Sequence, residues 1–254
     1  MSQDLTVLTD ADNTLWDTNR VYANAQLGML KDLEKELGLI APENQRLEFV
    51  RRYDEAIATK HHQGFRYPPA MLSEVLALGL QGETPSKAYK KVWGGSNPIE
   101  FLGTSKAARI ETRYLELLKE LPELRPGVLE GFKWLEERNI PIFVVTEGDK
   151  KRIVELLFLH GLSDYVSKVI EGKKSLELYK RLLQLTGNAE NTLMIGDQLD
   201  RDVLPAQKAG LIGVHFPGGF NPVRNFRIED SDPNYEISSF DQIAAVVSSV
   251  CSTV

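Results

Sequence analysis

The second half of the chain constrains the fold most strongly. Beyond Pro126, short apolar runs alternate with stretches of helical spacing. Pro141–Thr146, Val166–Ile170, Thr192–Ile195 and Leu211–His215 read as strands. Val128–Arg138, Lys150–Leu159, Ser175–Leu185 and Asp202–Ala209 read as the helices around them, and Tyr235–Ile237 and Phe240–Val247 as a last strand and helix. The run Ile142-Phe143-Val144-Val145 is apolar without alternation. Such a strand is covered on both faces, and strands joined through helices run parallel. The expected class is α/β, a mostly parallel sheet between layers of helices.

One more strand lies far upstream. Leu5, Val7 and Leu8, with the threonines beside them, form a short β-branched-rich run that ends in Asp10-Ala11-Asp12-Asn13-Thr14. Between this strand and the rest, residues 18–122 show only helices and loops. Tyr22, Met29, Leu30, Leu33 and Leu37 fall at helical spacing before Gly38. Further helices are expected from Pro42, from Pro69 to Leu80, from Thr84-Pro85 to Gly94-Gly95, and over Lys106–Lys119. The expected organisation is a core of residues 1–17 and 123–254, interrupted by a helical domain of residues 18–122.

Composition narrows the function classes. With 254 residues, 42% hydrophobic and 26% charged, the chain reads as globular. A net charge of -6 offers no basic field for nucleic acid. The longest apolar runs are too short to span a membrane. Met1-Ser2-Gln3-Asp4 has no basic-then-apolar pattern of a signal peptide. The single cysteine, Cys251, cannot pair within the chain. Together these point to a cytoplasmic protein.

Polar residues gather at strand ends. Asp10 and Asp12 follow the first strand, where α/β proteins place ligands; a helix N-cap at Asp12 or Asn13 is the structural alternative. Val144-Val145-Thr146-Glu147-Gly148-Asp149 ends the next strand with a hydroxyl and free backbone N–H groups, a place for a phosphate oxygen, or with Asp149 as a helix cap. Glu171-Gly172-Lys173-Lys174-Ser175 brings a lysine that can neutralise a phosphoryl group. Leu193-Met194-Ile195-Gly196-Asp197-Gln198-Leu199-Asp200-Arg201-Asp202 brings carboxylates suited to a hard cation.

In order and position, these four segments resemble the motifs of the haloacid dehalogenase-like (HAD) superfamily: DxDxT, the hydroxyl at the second strand end, the lysine, and GDxxxxD. Arg125-Pro126-Gly127 and Asp202-Val203-Leu204-Pro205-Ala206 also look like the family. The resemblance implies a Rossmann-like core and, from the place of the insert, a helical C1-type cap. It further implies a phosphatase of small-molecule phosphate monoesters that passes through an aspartyl-phosphate. Asp10 would be the nucleophile and Asp12 the general acid/base. Mg²⁺ would be held by Asp10, Asp197 and the backbone carbonyl of Asp12, with Asp202 in support. Ala11, Thr146, Glu147 and Lys174 would hold the substrate phosphate. Lys174 suits a K-x-x-x-x-Y spacing ending at Tyr179, and Lys173 suits a K-P-D-P-like spacing. Cap contacts are expected from His61, His62, Arg66 and Tyr67. Expected partners are a small phosphorylated substrate, with neither nucleic acid nor membrane. A phosphomutase shares every core residue. A receiver-like module or a non-enzymatic HAD scaffold are the readings without turnover, and a dehalogenase would need neither Asp12 nor Asp197.

Overall fold

The computed structural model describes residues 5–42, 44–60, 67–95, 104–186, 191–218 and 232–252. The chain forms two compact units, Met1–Asn19 with Pro122–Val254, and Arg20–Leu121. In the first unit the strands are β1 (Thr6–Thr9), β2 (Ile142–Thr146), β3 (Val166–Glu171), β4 (Thr192–Gly196), β5 (Ile212–His215) and β6 (Tyr235–Glu236). They form one sheet in the order β3-β2-β1-β4-β5-β6, with every neighbouring pair parallel. The α/β class expected from the apolar runs is the fold observed.

Alternate residues explain the two layers. Val7, Ile142, Val144, Leu193 and Ile195 point to one face, where they pack with Phe132, Leu156 and Val246. Those partners lie on α6 (Val128–Glu136), α7 (Lys150–Leu159) and α10 (Ile243–Ser252). Leu8, Val145 and Met194 point the other way, to Tyr179, Leu182 and Ala206. These lie on α8 (Leu176–Thr186) and α9 (Leu204–Lys208). A strand buried on both sides has no polar positions to alternate with, hence the continuous runs.

The order places the functional edge. β1 is central, β2 and β3 extend to one side, and β4 to β6 extend to the other. The winding reverses beside β1, and in such sheets the crevice at the carboxyl ends of the strands opens at that reversal. Asp10, Thr146 and Asp197 all stand at those ends, on the adjacent strands β1, β2 and β4.

The second unit is helical: α1 (Thr18–Leu37), α2 (Arg46–Ala58), α3 (Pro69–Leu80), α4 (Pro85–Trp93) and α5 (Thr104–Leu117). Its core includes Met29, Leu33, Phe49, Tyr53, Leu72, Leu76, Ile110 and Tyr114. At Gly79 the backbone passes so close to Tyr53 that a Cβ would lie 2.5 Å from its ring. Helix α2 begins at Arg46, four residues after the Pro42 start read from sequence. Among the described residues, no helix is long and apolar enough to cross a membrane.

One expected helix differs. The stretch read as Asp202–Ala209 begins earlier, with a π-helical turn over Leu199–Val203, and only then becomes α9. The Gln198 carbonyl accepts both the Asp202 N–H at 2.8 Å and the Val203 N–H at 3.4 Å, which widens the turn. The buried carboxylate of Asp202 sits inside this turn and accepts the Gln198 N–H at 3.0 Å. Hydrophobic spacing carries no sign of such a local bond.

Candidate active site

The β1 exit builds the first wall. Asp10 still donates its N–H to the Ile195 carbonyl at 2.8 Å, so its backbone stays in the sheet while its side chain leaves it. Ala11 accepts the N–H of Thr14 and of Leu15, which closes a tight turn. Asn13 takes a left-handed conformation there, with φ of 65°, which asparagine tolerates better than most residues. The Thr14 hydroxyl donates to Asp10 Oδ2 at 3.0 Å. Asp12 Oδ1 accepts from Trp16 Nε1 at 3.2 Å and from the Thr18 hydroxyl at 2.6 Å. Neither Asp12 nor Asn13 stands at the N-cap position that was the structural alternative, since α1 begins at Thr18, but the Asn13 side chain does accept the Asn19 N–H in the first turn of α1, as a cap would.

The β2 exit faces it. Thr146 is buried, and its hydroxyl accepts the Gly148 N–H at 2.9 Å. A Cβ on Gly148 would lie 3.2 Å from both Asp12 Oδ2 and Thr146 Oγ1, so the acid and the hydroxyl meet around this glycine. Asp149 caps α7 by accepting the Arg152 N–H, the structural alternative raised from the sequence. The Glu147 carboxylate ties three loops together. It accepts the Lys174 N–H at 2.8 Å and the Arg201 guanidinium at 3.0 Å. The Tyr179 hydroxyl adds a bond to the Arg201 carbonyl at 3.1 Å.

Two adjacent lysines are separated by their surroundings. Lys173 is exposed, whereas Lys174 is buried with its Nζ donating to Asp10 Oδ1 and, at 2.5 Å, to Asp202 Oδ1. Asp202 is fully buried and presses against β4: a Cβ on Gly196 would lie 2.2 Å from its Cγ. Only glycine fits there. Asp197 is buried beside this pair, and its Oδ1 has no hydrogen-bond partner among the described residues.

Among the described residues, acids crowd together here. Asp10, Asp197 and Asp202 each offer an oxygen within 4.8 Å of the others, with the Lys174 ammonium among them. Burial raises Asp10 above the ordinary carboxylate range, and Asp202 adds to this against the pull of Lys174. Burial raises Asp197 too, and Asp10 and Asp202 reinforce it. Lys174 shows the converse. Burial alone would lower it, but Asp10 and Asp202 hold it above the usual lysine value, so it stays charged. A crowded acid cluster with an unpartnered buried oxygen fits a hard cation, whose charge offsets the repulsion. Asp202 already spends both oxygens, on Lys174 and on the Gln198 N–H.

The sequence reading gave no role to several members of this site. Trp16, Thr18 and Gln198 act through bonds to the acids; Thr14, which bonds Asp10, entered only as the last residue of DxDxT, and Arg125 only beside Pro126-Gly127. Of the expected cap contacts, His61, His62 and Arg66 lie outside the described residues. Tyr67 donates its hydroxyl to Asp54 within the helical unit.

Residues 5–210 match the haloacid dehalogenase-like hydrolase family, so the chain belongs to that family. Among curated relatives, it is 27% identical over 130 residues to a glyceraldehyde 3-phosphate phosphatase of Methanocaldococcus jannaschii, covering 48% of this chain and 55% of that protein. It is 28% identical over 141 residues to a phosphoglycolate phosphatase of Vibrio vulnificus, covering 53% of this chain and 60% of the relative. The chain thus spans a little over half the length of these two relatives. In fold it is similar to a haloacid dehalogenase-like family hydrolase of Xanthomonas campestris, with a TM-score of 0.65, 20% identity, and 98% and 96% of the two chains covered.

Proposed function

We propose that this chain is a Mg²⁺-dependent phosphatase of small phosphate monoesters that works through a phosphorylated Asp10. One observation carries the reading. Asp10 stands at the end of the central strand, fixed by Lys174, next to a carboxylate with an unmet oxygen. The phosphatase names of the two curated relatives support the same chemistry.

Asp10 attacks phosphorus, and the bond from phosphorus to the leaving oxygen breaks. Asp12 gives that oxygen its proton and leaves as a neutral alcohol the group that would otherwise depart as an alkoxide. Asp12 then takes a proton from water as the water oxygen attacks phosphorus. The bond from phosphorus to Asp10 breaks, and phosphate departs. Thr146 and the backbone N–H groups of Ala11 and Glu147 hold the phosphoryl oxygens. Lys174 keeps Asp10 oriented and offsets the charge of the incoming phosphate. Mg²⁺, held by Asp10, Asp197 and the Asp12 carbonyl, would supply positive charge against the same repulsion. We assign the helical unit the role of the cap inserted between the first two motifs.

The test is turnover of p-nitrophenyl phosphate, phosphoglycolate and glyceraldehyde 3-phosphate, with Mg²⁺ and with excess chelator. Wild type should turn over at least one with Mg²⁺ and none in chelator, and Asp10→Asn should be inactive. Undiminished turnover in chelator, or by Asp10→Asn, would refute the proposal.

A further inference from the structure

Arg125 takes no part in the steps above, yet it is buried close to them. Its side chain reaches two loops from distant parts of the chain. Nη1 donates to the Asn13 carbonyl at 2.6 Å and, at 3.4 Å, to the Phe216 carbonyl; Nη2 donates to the Pro217 carbonyl at 2.7 Å. The guanidinium lies over the Phe216 ring, 3.8 Å from its centroid. Its own backbone N–H donates to the Leu15 carbonyl, so Arg125 grips the β1 turn twice.

These acceptors carry no formal charge, so they do not fully offset the cost of burying a cation. Burial indeed works against the charged form, and the carboxylates that favour it are Asp197 first and Asp17 second. Those two carboxylates thus help to keep the guanidinium charged. Geometry connects it to Asp197 as well. Just past Pro217, a Cβ on Gly218 would lie 3.3 Å from Asp197 Oδ2 and 3.9 Å from the Asn13 Cβ. The segment leaving β5 therefore rests on Asp197 and on the β1 turn together, and Arg125 pins that segment to that turn.

A planar fork suits this task. Two N–H groups point to carbonyls on different loops, while the flat face stacks on an aromatic ring. A lysine in the same place keeps the charge, but its donors all sit on one atom and it has no face to stack.

We infer that Arg125 is a positioning residue: it locks the Asp12–Asn13 turn to the segment that walls Asp197, and so fixes the backbone of that turn relative to the cation-binding carboxylates. The inference rests on the proposed metal-dependent reading of Asp10, Asp12 and Asp197.

Two variants separate geometry from charge. Arg125→Lys keeps the charge and loses the fork, and Arg125→Gln loses both. Removing a positive charge near Asp197 would by itself tighten cation binding. Weaker binding in Arg125→Gln therefore reports lost geometry. Mg²⁺ is titrated calorimetrically into the full-length protein without substrate, and hydrogen exchange is followed over residues 11–15. Both variants should bind Mg²⁺ about tenfold more weakly or worse, in the range seen when groups supporting a metal ligand are lost. Exchange over residues 11–15 should quicken. In turnover assays at saturating Mg²⁺ kcat should fall more than KM rises, because Thr146, Glu147 and Lys174 lie outside the loosened turn and still hold the phosphate, while Asp12 within it is no longer held in place.

If Arg125→Lys binds Mg²⁺ as tightly as wild type, or Arg125→Gln binds it more tightly, the positioning role is wrong. If Arg125→Gln fails to fold, Arg125→Lys decides alone. If neither folds, Arg125 is a residue of the fold only and the inference fails. Wild type that takes up no Mg²⁺ overturns the metal-dependent reading, and the inference with it; uptake equal in wild type and Arg125→Lys overturns the inference alone.

Discussion

Replacing Lys174 by methionine removes its ammonium from the acid cluster and nearly preserves side-chain volume. The Lys174 side chain is 5% exposed, and its two partners, Asp10 and Asp202, are 6% and 0% exposed. Removing one partner of a buried ion pair costs about 3–5 kcal/mol. In a protein of this size ~1 kcal/mol moves the melting temperature by roughly 2–4 °C, which gives a loss of about 6–20 °C. Protonation reduces the loss. Burial already raises Asp10 and Asp197 above the ordinary carboxylate range. In Lys174→Met a proton can replace the missing charge. A carboxyl whose value is raised on folding contributes stability that is present below its unfolded value and is lost as pH rises through the folded value. Taking away Lys174 raises Asp10 further, so the penalty must grow with pH. We expect the low end of the range near pH 6 and the high end near pH 8.5, by about the logic of proton linkage. The assay is scanning calorimetry in chelator at both pH values. Lys173→Met is the control; Lys173 is exposed, and its loss should stay within about 0.5 kcal/mol. With Mg²⁺, Lys174→Met should also lose on the order of 10²–10³ in kcat, as expected for a group that stabilises developing charge. A penalty that shrinks as pH rises, or one carried by Lys173 and not Lys174, would refute the reasoning.

Two other predictions follow from single contacts. Asp12→Asn keeps an oxygen to accept from Trp16 and Thr18 but cannot shuttle a proton, which typically contributes ~10²–10⁴-fold; in single-turnover phosphorylation the loss should be smaller for p-nitrophenyl phosphate than for an alkyl phosphate, and equal losses would remove Asp12 as the general acid. Gly196→Ala forces a methyl group to within 2.2 Å of Asp202 Cγ, so it should cost about 1–3 kcal/mol in denaturant titration and displace Asp202 from Lys174, with lower kcat; an unchanged midpoint would contradict the close approach.

The fold was legible because burial on both faces leaves a plain mark. Val7 and Leu8 look alike in sequence and pack on opposite sides of the sheet, and no charged residue interrupts the run until Asp10. A charge at the end of such a run is legible for the same reason, which is why Asp10 and Asp197 could be picked out. The lysines were harder. Lys173 and Lys174 have the same chemistry one residue apart, and only the path of the chain after β3 buries one and exposes the other. The π turn at Leu199–Val203 left no pattern, since it answers to bonds made by one carboxylate and one carbonyl and not to periodic burial.

Arg125 marks the limit of such reading. Motifs show side chains that meet side chains, because both partners are written in the sequence. Arg125 bonds to the carbonyls of Asn13, Phe216 and Pro217, and every residue has a carbonyl. Its partners are therefore chosen by where the backbone goes, and they become visible only once β1 and β5 are in place. Glu147 obeys the same rule on one side, since one of its oxygens accepts the backbone N–H of Lys174. Groups of this kind hold loops relative to one another, whereas in the proposed mechanism Asp10, Asp12 and Asp197 supply reactive or charged atoms. The two sets should respond differently to substitution. On the proposed mechanism, losing Asp10 removes the reaction whatever the metal concentration, while losing the Arg125 clamp weakens cation binding in a way that excess Mg²⁺ partly restores.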